Sequence, residues 1–270
     1  MPPALTDAAR RVLACPDPGE KIRLARACHE ALAQGLITEI GEAHAPDFPA
    51  RPANPPLLAP RDMPRRRAGK SRSERIALYH AIAHIEFNAI DLAFDLIARF
   101  AALVLPQEFY ADWTAVGAEE AHHFELLAGR LEALGAAYGD LPAHGGLWEA
   151  AAATTDDLLA RLAVVPLVLE ARGLDVTPGM ITRLESFGDT EGADILRLIL
   201  KEEIGHVAAG QRWFAWLAAR RGLDPATAWG DLVKARFKGV LKPPFNEAAR
   251  EAAGFDPTWI KAATGPAPHS

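Results

Sequence analysis

The chain has 270 residues, a formal net charge of -6 and 50% hydrophobic residues, with 24% charged. At roughly 150 residues per domain this is one large domain or two small ones, and the composition excludes a wholly disordered chain. Alanine and leucine dominate while aromatics are 7%, which favours helices over a β-sandwich. An acidic chain with a pI near 5.9 is no general attractor for nucleic acid. Cys15 and Cys28 form no Cys-x-x-Cys pair and read as reduced thiols in a cytoplasmic protein. The start lacks the apolar stretch of a signal peptide, and no window resembles a membrane span.

In chain order, apolar residues from Ile22 to Ile40 recur near a 3.6 period, so Leu5 to about Ala43 is predicted helical. Residues 45–69 carry seven prolines and cannot be helical. Their length and their apolar Phe48, Leu57, Leu58 and Met63 predict an extended arm lying over the domain rather than a mobile linker. Ser71 or Ser73, with Glu74 in the first turn, predicts the cap of a long helix running to about Leu105. Pro106 suits the first position of a second helix, to about Leu134. The glycine-rich 134–148 is a connection. Thr154–Asp157 marks a third helix, kinked at Pro166 and reaching about Arg172, with a shorter one from Pro178. Asp189 or Thr190 caps a fourth long helix, to about Arg221. Short helices broken by Pro243, Pro244 and Pro257 follow, and no segment alternates like a strand.

Each long helix carries a carboxylate among its core residues. Glu86 stands among Ile82, Ala83, Ala89, Ile90 and Ala93. Glu120 and His123, three apart, share a face with Phe124, Leu127 and Leu131. Glu119 and His122 satisfy the same spacing on a less apolar face and stay open as the alternative register. Glu170 follows a run of apolar residues. Glu203 and His206 repeat the three-residue spacing, whereas Glu202 has Gly205 at +3 and makes no pair. Four core carboxylates need neutralising. With two neutral imidazoles they carry about -4, the charge that two divalent cations balance, and an oxygen and imidazole donor set suits iron or manganese. Glu86 to Glu120 is 34 positions and Glu170 to Glu203 is 33, so the ligands repeat over two helical hairpins joined by a longer crossover. One Glu from each of two helices and Glu-x-x-His from each of two others is the ligand pattern of ferritin-like dinuclear bundles.

Asp194 and Asp91 are candidates to receive the second nitrogen of a ligating histidine. His80 and His84 do not share the Glu86 face and read as surface or core-edge residues. Tyr79 shares that face and reads as core.

The segments AHIEFNAIDLAFD, EEAHHFELL, YGDLPAHGGLWEAA, EARGLDVTPGM, KEEIGHV and PPFNEAAREAAGF together resemble an uncharacterised ferritin-like family, domain of unknown function 455, from about residue 10 to 260. That family is similar in fold to a di-iron hydroxylase of isopentenylated adenosine in tRNA. The resemblance implies an all-α, ferritin-like antiparallel four-helix bundle with one long crossover. It would form a single domain: an N-terminal helical and Pro-rich arm (1–70), the bundle (71–221) and a C-terminal extension (222–270). Glu86, Glu120, His123, Glu170, Glu203 and His206 would hold two Fe ions, with Fe/Mn or Mn as variants. The function expected is an O2-activating oxidoreductase. Iron storage by a ferroxidase and a non-enzymatic, metal-stabilised binding module are the alternatives. Expected partners are a small molecule or modified nucleoside as substrate, no membrane, and a homodimer. The basic residues Arg65–Arg67, Lys234, Arg236, Lys238 and Lys242 offer the weaker alternative of tRNA.

Overall fold

The computed structural model describes residues 3–64, 70–256 and 258–260. Helices dominate there, and the extended pairing among the described residues is one isolated bridge between Leu57 and Ala143. No described helix is long and apolar enough to cross a membrane. The chain divides into two compact units, Met1–Trp148 with Arg183–Ile195, and Glu149–Thr182 with Leu196–Ser270. Their limits run through the helices Gly146–Ala152, Ala171–Ser186 and Thr190–Arg220, described below.

In the first unit, the helix expected from Leu5 to Ala43 is two helices, α1 (Leu5–Leu13) and α2 (Pro18–Ala33). Pro16 and Pro18 cannot continue α1. Asp17 instead caps α2, accepting from the Glu20 amide at 2.8 Å, and Pro18 sits in the first turn, where its missing N–H costs nothing. Gly35, at φ +69°, turns the chain out of α2. Residues 39 and 40 are extended. Their carbonyls accept from the Leu5 and Thr6 amides at 2.9 Å, which satisfies donors that the start of α1 leaves over.

The proline-rich segment is an arm fixed by its backbone. His44 donates to the Ala98 carbonyl (2.9 Å), Ala50 to Leu13 (2.7 Å) and Leu58 to Ala143 (2.8 Å), and Arg99 donates to the Pro46 carbonyl (2.7 Å). The apolar residues expected to seat it do not: Phe48 is 72% exposed, and Leu57 and Leu58 are exposed as well. Arg65–Arg67 lie outside the described residues.

Helices α3 (Arg72–Arg99) and α4 (Gln107–Ala133) form a long hairpin. Ser71 caps α3 through a reciprocal box, its hydroxyl accepting from the Glu74 amide and the Glu74 carboxylate accepting from Ser71 N–H. Ser71→Ala is expected to lower stability by about 1 kcal/mol in urea unfolding. The connection is longer than expected: α3 ends at Arg99 rather than near Leu105, and Pro106 is the cap of α4 and not its first residue. Gly117 makes room for the Phe94 ring, which a Cβ there would meet at 2.6 Å. From Tyr79 to Ala98, α3 is buried at every position but Ile85.

A short helix, α5 (Gly146–Ala152), rises where only a connection was expected. In the second unit, α6 (Leu158–Val164) is capped by Asp157. The kink expected at Pro166 is a π-helical turn, Val165–Glu170. Proline has no N–H for the carbonyl four residues back, and the helix widens there instead of stopping. Trp229 Nε1 donates to the Ala163 carbonyl at 3.1 Å beside this turn, and Gly210 lets the Pro166 ring lie against α8 (Thr190–Arg220).

Then α7 (Ala171–Ser186) runs through Pro178, which was expected to start a helix of its own. The Leu174 carbonyl, which Pro178 cannot serve, accepts from Asn246 Nδ2 at 3.1 Å. Asn246 also caps α10 (Glu247–Ala252), and Arg250 of α10 holds Asp175 with two 2.8 Å bonds. Asn246→Ala removes a cap and orphans that carbonyl, so it is expected to cost about 2 kcal/mol, read by urea unfolding.

Helix α8 is capped by Asp189, which accepts from the Gly192 amide at 3.1 Å. Asp224 caps α9 (Pro225–Arg236). Phe214, Trp229, Phe255 and Trp259 pack mostly edge to face with ring centroids 5.5–5.9 Å apart, so the C-terminal extension contributes to the core of its unit.

Candidate metal centre

In the first unit, the α3–α4 hairpin brings three of the six ligand candidates together. Glu86, Glu120 and His123 are buried, and each offers a donor atom within 4.8 Å of the others. His123 Nδ1 lies 3.4 Å from Glu120 Oε2 and 3.7 Å from Glu86 Oε2. The registry follows from the apolar stripe of α4, where Val116, Ala121, Phe124 and Leu127 are buried with Glu120 and His123. Glu119 is exposed, and His122 is partly exposed, beside Arg26 and Glu125. Of the two registers left open in the sequence, Glu120 with His123 is the buried one.

Burial, and then the charge of Glu120, hold the Glu86 carboxyl well above its ordinary value. Burial alone would disfavour a charged His123, but the two carboxylates of Glu120 and Glu86 beside it outweigh that and push it up to about 11. Two carboxylates are thus taken from water and set against each other, with one imidazole between them. Such a set binds protons tightly, and a hard divalent cation can take the protons' place. The residues fit a divalent metal ion.

In the second unit, Glu203 and His206 are buried on α8, with His206 Nδ1 3.5 Å from Glu203 Oε1. Glu202 is less buried. Glu170 is the last residue of the π-helical turn and is partly buried. The wider turn set off by Pro166 therefore includes Glu170 itself.

The outer partners expected in the sequence are elsewhere. Asp91 is buried against Lys21 of α2, and Asp194 is exposed. His80 and His84, expected at the surface or core edge, are both buried. The His80 ring nitrogen accepts from the Gly139 amide at 3.0 Å, and His84 Nδ1 lies 2.9 Å from Tyr138 Oη. Both hold the 138–144 loop to α3. Tyr79 is core, as expected, and its hydroxyl donates to Asp189 at 2.8 Å. Of the basic candidates, Arg236 is paired with Asp156 at 2.7 Å, while Lys234, Lys238 and Lys242 are exposed. Lys21 and Arg51 drew no attention in the sequence. Nothing in its residue type marks Lys21, in the first turn of α2, as internal; its burial against Asp91 of α3 does.

A family model described as "Protein of unknown function (DUF455)" matches residues 14–261. The chain is similar to an uncharacterized protein of Haemophilus influenzae (strain ATCC 51907 / DSM 11121 / KW20 / Rd), with 39% identity over 253 residues, 88% of this chain and 86% of that one. No solved structure matches it.

Proposed function

Since the chain belongs to the DUF455 family of proteins of unknown function, whose name carries no reaction, we propose from its side chains that it is a dinuclear metal-carboxylate oxidoreductase. The observation that carries this reading is the buried Glu86–Glu120–His123 set in the first unit, echoed by Glu203 and His206 in the second. Together with Glu170 these are the six ligands expected from the sequence for a ferritin-like domain, a set that would hold two Fe ions, or Fe with Mn. Such a pair of ions supplies O2-dependent oxidation when bound. The chain's own part is to neutralise and shield. Four carboxylates match two divalent charges, His123 and His206 would offer nitrogen donors once a metal displaces their protons, and the buried Ala83, Ile90, Phe124 and Leu127 keep bulk water from their helix faces. The substrate would be a small molecule or modified nucleoside, in the cytoplasm.

The test is metal content and O2 uptake of protein purified from iron-replete cells. Near two equivalents of iron per chain, lost in Glu86→Ala and Glu203→Ala, with O2 consumed on anaerobic Fe(II) loading and re-aeration, is the expected result. Metal without O2 uptake leaves a structural metal only, and a 12- or 24-mer on size exclusion points to storage. Substoichiometric metal that the two variants leave unchanged overturns the reading.

A further inference from the structure

We propose that a recess between the Pro-rich arm and α3 binds a small organic carboxylate with a flat apolar body. The recess has a volume of about 200 Å³ and lies wholly in the first unit. Arg51, Pro55 and Leu57 of the arm line it, with His84 and Phe87 of α3 and Tyr138 of the following loop. At 100° per residue, position 84 is 200° from position 86 on α3. Position 87, the other α3 residue of the lining, is 100° from position 86, so the recess lies off the Glu86 face and does not rest on the function proposed above.

The polar groups around it leave one kind of charge unmet. His84 Nε2 is 3.2 Å from the His144 carbonyl, an acceptor only, so that nitrogen carries the proton and donates. Nδ1 then accepts from the Tyr138 hydroxyl at 2.9 Å, and neither side chain has a donor to spare. Below them, Lys21 and Asp91 form a fully buried ion pair and cancel in charge. Arg51 is different. Its Nη1 is buried and finds no hydrogen-bond partner among the described residues. A buried guanidinium N–H without an acceptor is costly, and Arg51 leaves the recess with one positive charge in excess.

The fork of N–H groups on arginine matches a carboxylate bidentately. The rest of the lining is apolar and aromatic, with Phe87 and Tyr138 centroids 5.5 Å apart and Pro55 and Leu57 opposite. The ligand class is thus a monoanionic acid about the size of one substituted ring. The competing account is internal: Asp91 Oδ2 is also buried and without a partner among the described residues, and a rotation of Arg51 onto it would close the recess to anions.

The experiment is a 19F NMR titration of the full chain with 4-fluorobenzoate, using 4-fluorobenzamide as the neutral counterpart. Saturable line broadening by the acid, at least tenfold weaker with the amide, is expected. Arg51→Gln is expected to weaken acid binding at least tenfold, and Arg61→Gln, a change at an exposed arm arginine, to leave it unchanged. Ala53→Trp, which fills the mouth and keeps the guanidinium, is expected to abolish it and carries the test should Arg51→Gln fail to fold. The absence of saturable broadening by the acid overturns the proposal in favour of the Arg51–Asp91 contact. Equal binding of acid and amide, or undiminished binding by Arg51→Gln or Ala53→Trp, overturns it in favour of adventitious association.

Discussion

Glu120→Gln is expected to make the metal-free protein more stable and, at the same time, unable to retain metal. In the folded chain Glu86 and Glu120 are buried with one imidazole between them. Unfolding returns both carboxylates to water, where they ionise near 4.3. In the metal-free fold, burial and the neighbouring Glu120 raise the Glu86 value. The sign follows: a group whose folded value is raised stabilises fully below its unfolded value and loses that contribution as pH climbs. His123, raised to about 11, behaves the same way above about 6.5. Metal-free stability should therefore fall with rising pH. Removing the Glu120 charge ends its repulsion of Glu86 and leaves the Glu86 carboxylate to hold the His123 imidazolium alone, one charge of each sign, for a gain of about 1 kcal/mol at pH 8. Metal binding has the opposite slope, since the ligands must be deprotonated. Urea unfolding at pH 6 and 8, with chelator or with anaerobic Fe(II), reads both slopes. A metal-free Glu120→Gln protein less stable than wild type at pH 8 would mean that the Glu120–His123 contact outweighs the repulsion, and would remove the electrostatic reason for a cation here.

The caps were legible because they are local. Ser71 with Glu74, and Asp189, declare a helix start within three residues of themselves, and the carboxylates of α3 and α4 stood out because charge inside an apolar stripe demands a partner. What stayed hidden is compensation from far along the chain. Pro178 looks like a helix start until Asn246, 68 positions later, supplies the donor its ring cannot. The true stop of α2 at Ala33 lay under a continuing apolar period, since Leu36 and Ile40 keep the spacing without being helical. The arm was expected to be seated by Phe48 and Leu57 because only side chains are visible in a sequence. Its backbone carbonyls and amides hold it instead, and nothing in residue type announces them.

Lys21→Met is expected to be among the most damaging single changes in the chain, costing about 3–5 kcal/mol, because it leaves Asp91 buried without its cation. Both side chains of the pair are wholly inaccessible. Lys21 also donates to the Ala50 carbonyl at 3.3 Å and lies 5.0 Å over the Phe87 ring, so α2, the arm and α3 meet at one ammonium. The double variant Lys21→Met with Asp91→Leu, of similar volume and without charge, should recover most of the loss, since the desolvation cost of a buried pair largely cancels its attraction. Acidity separates this from plain packing. Burial outweighs the pull of Lys21 and pushes the Asp91 carboxyl up to about 6, with Arg51 lowering it and Asp95 raising it to smaller degrees. The folded value is above the unfolded one of about 3.9, so the contribution of Asp91 is full below pH 4 and is lost as pH rises through 6. The stability of wild type relative to the double variant should fall across that window by about 3 kcal/mol and be flat above pH 7. A flat difference from pH 4 to 7, measured by urea unfolding of both proteins, would show that Asp91 is already ionised at pH 4 and that the Lys21 ammonium, not burial, sets its charge.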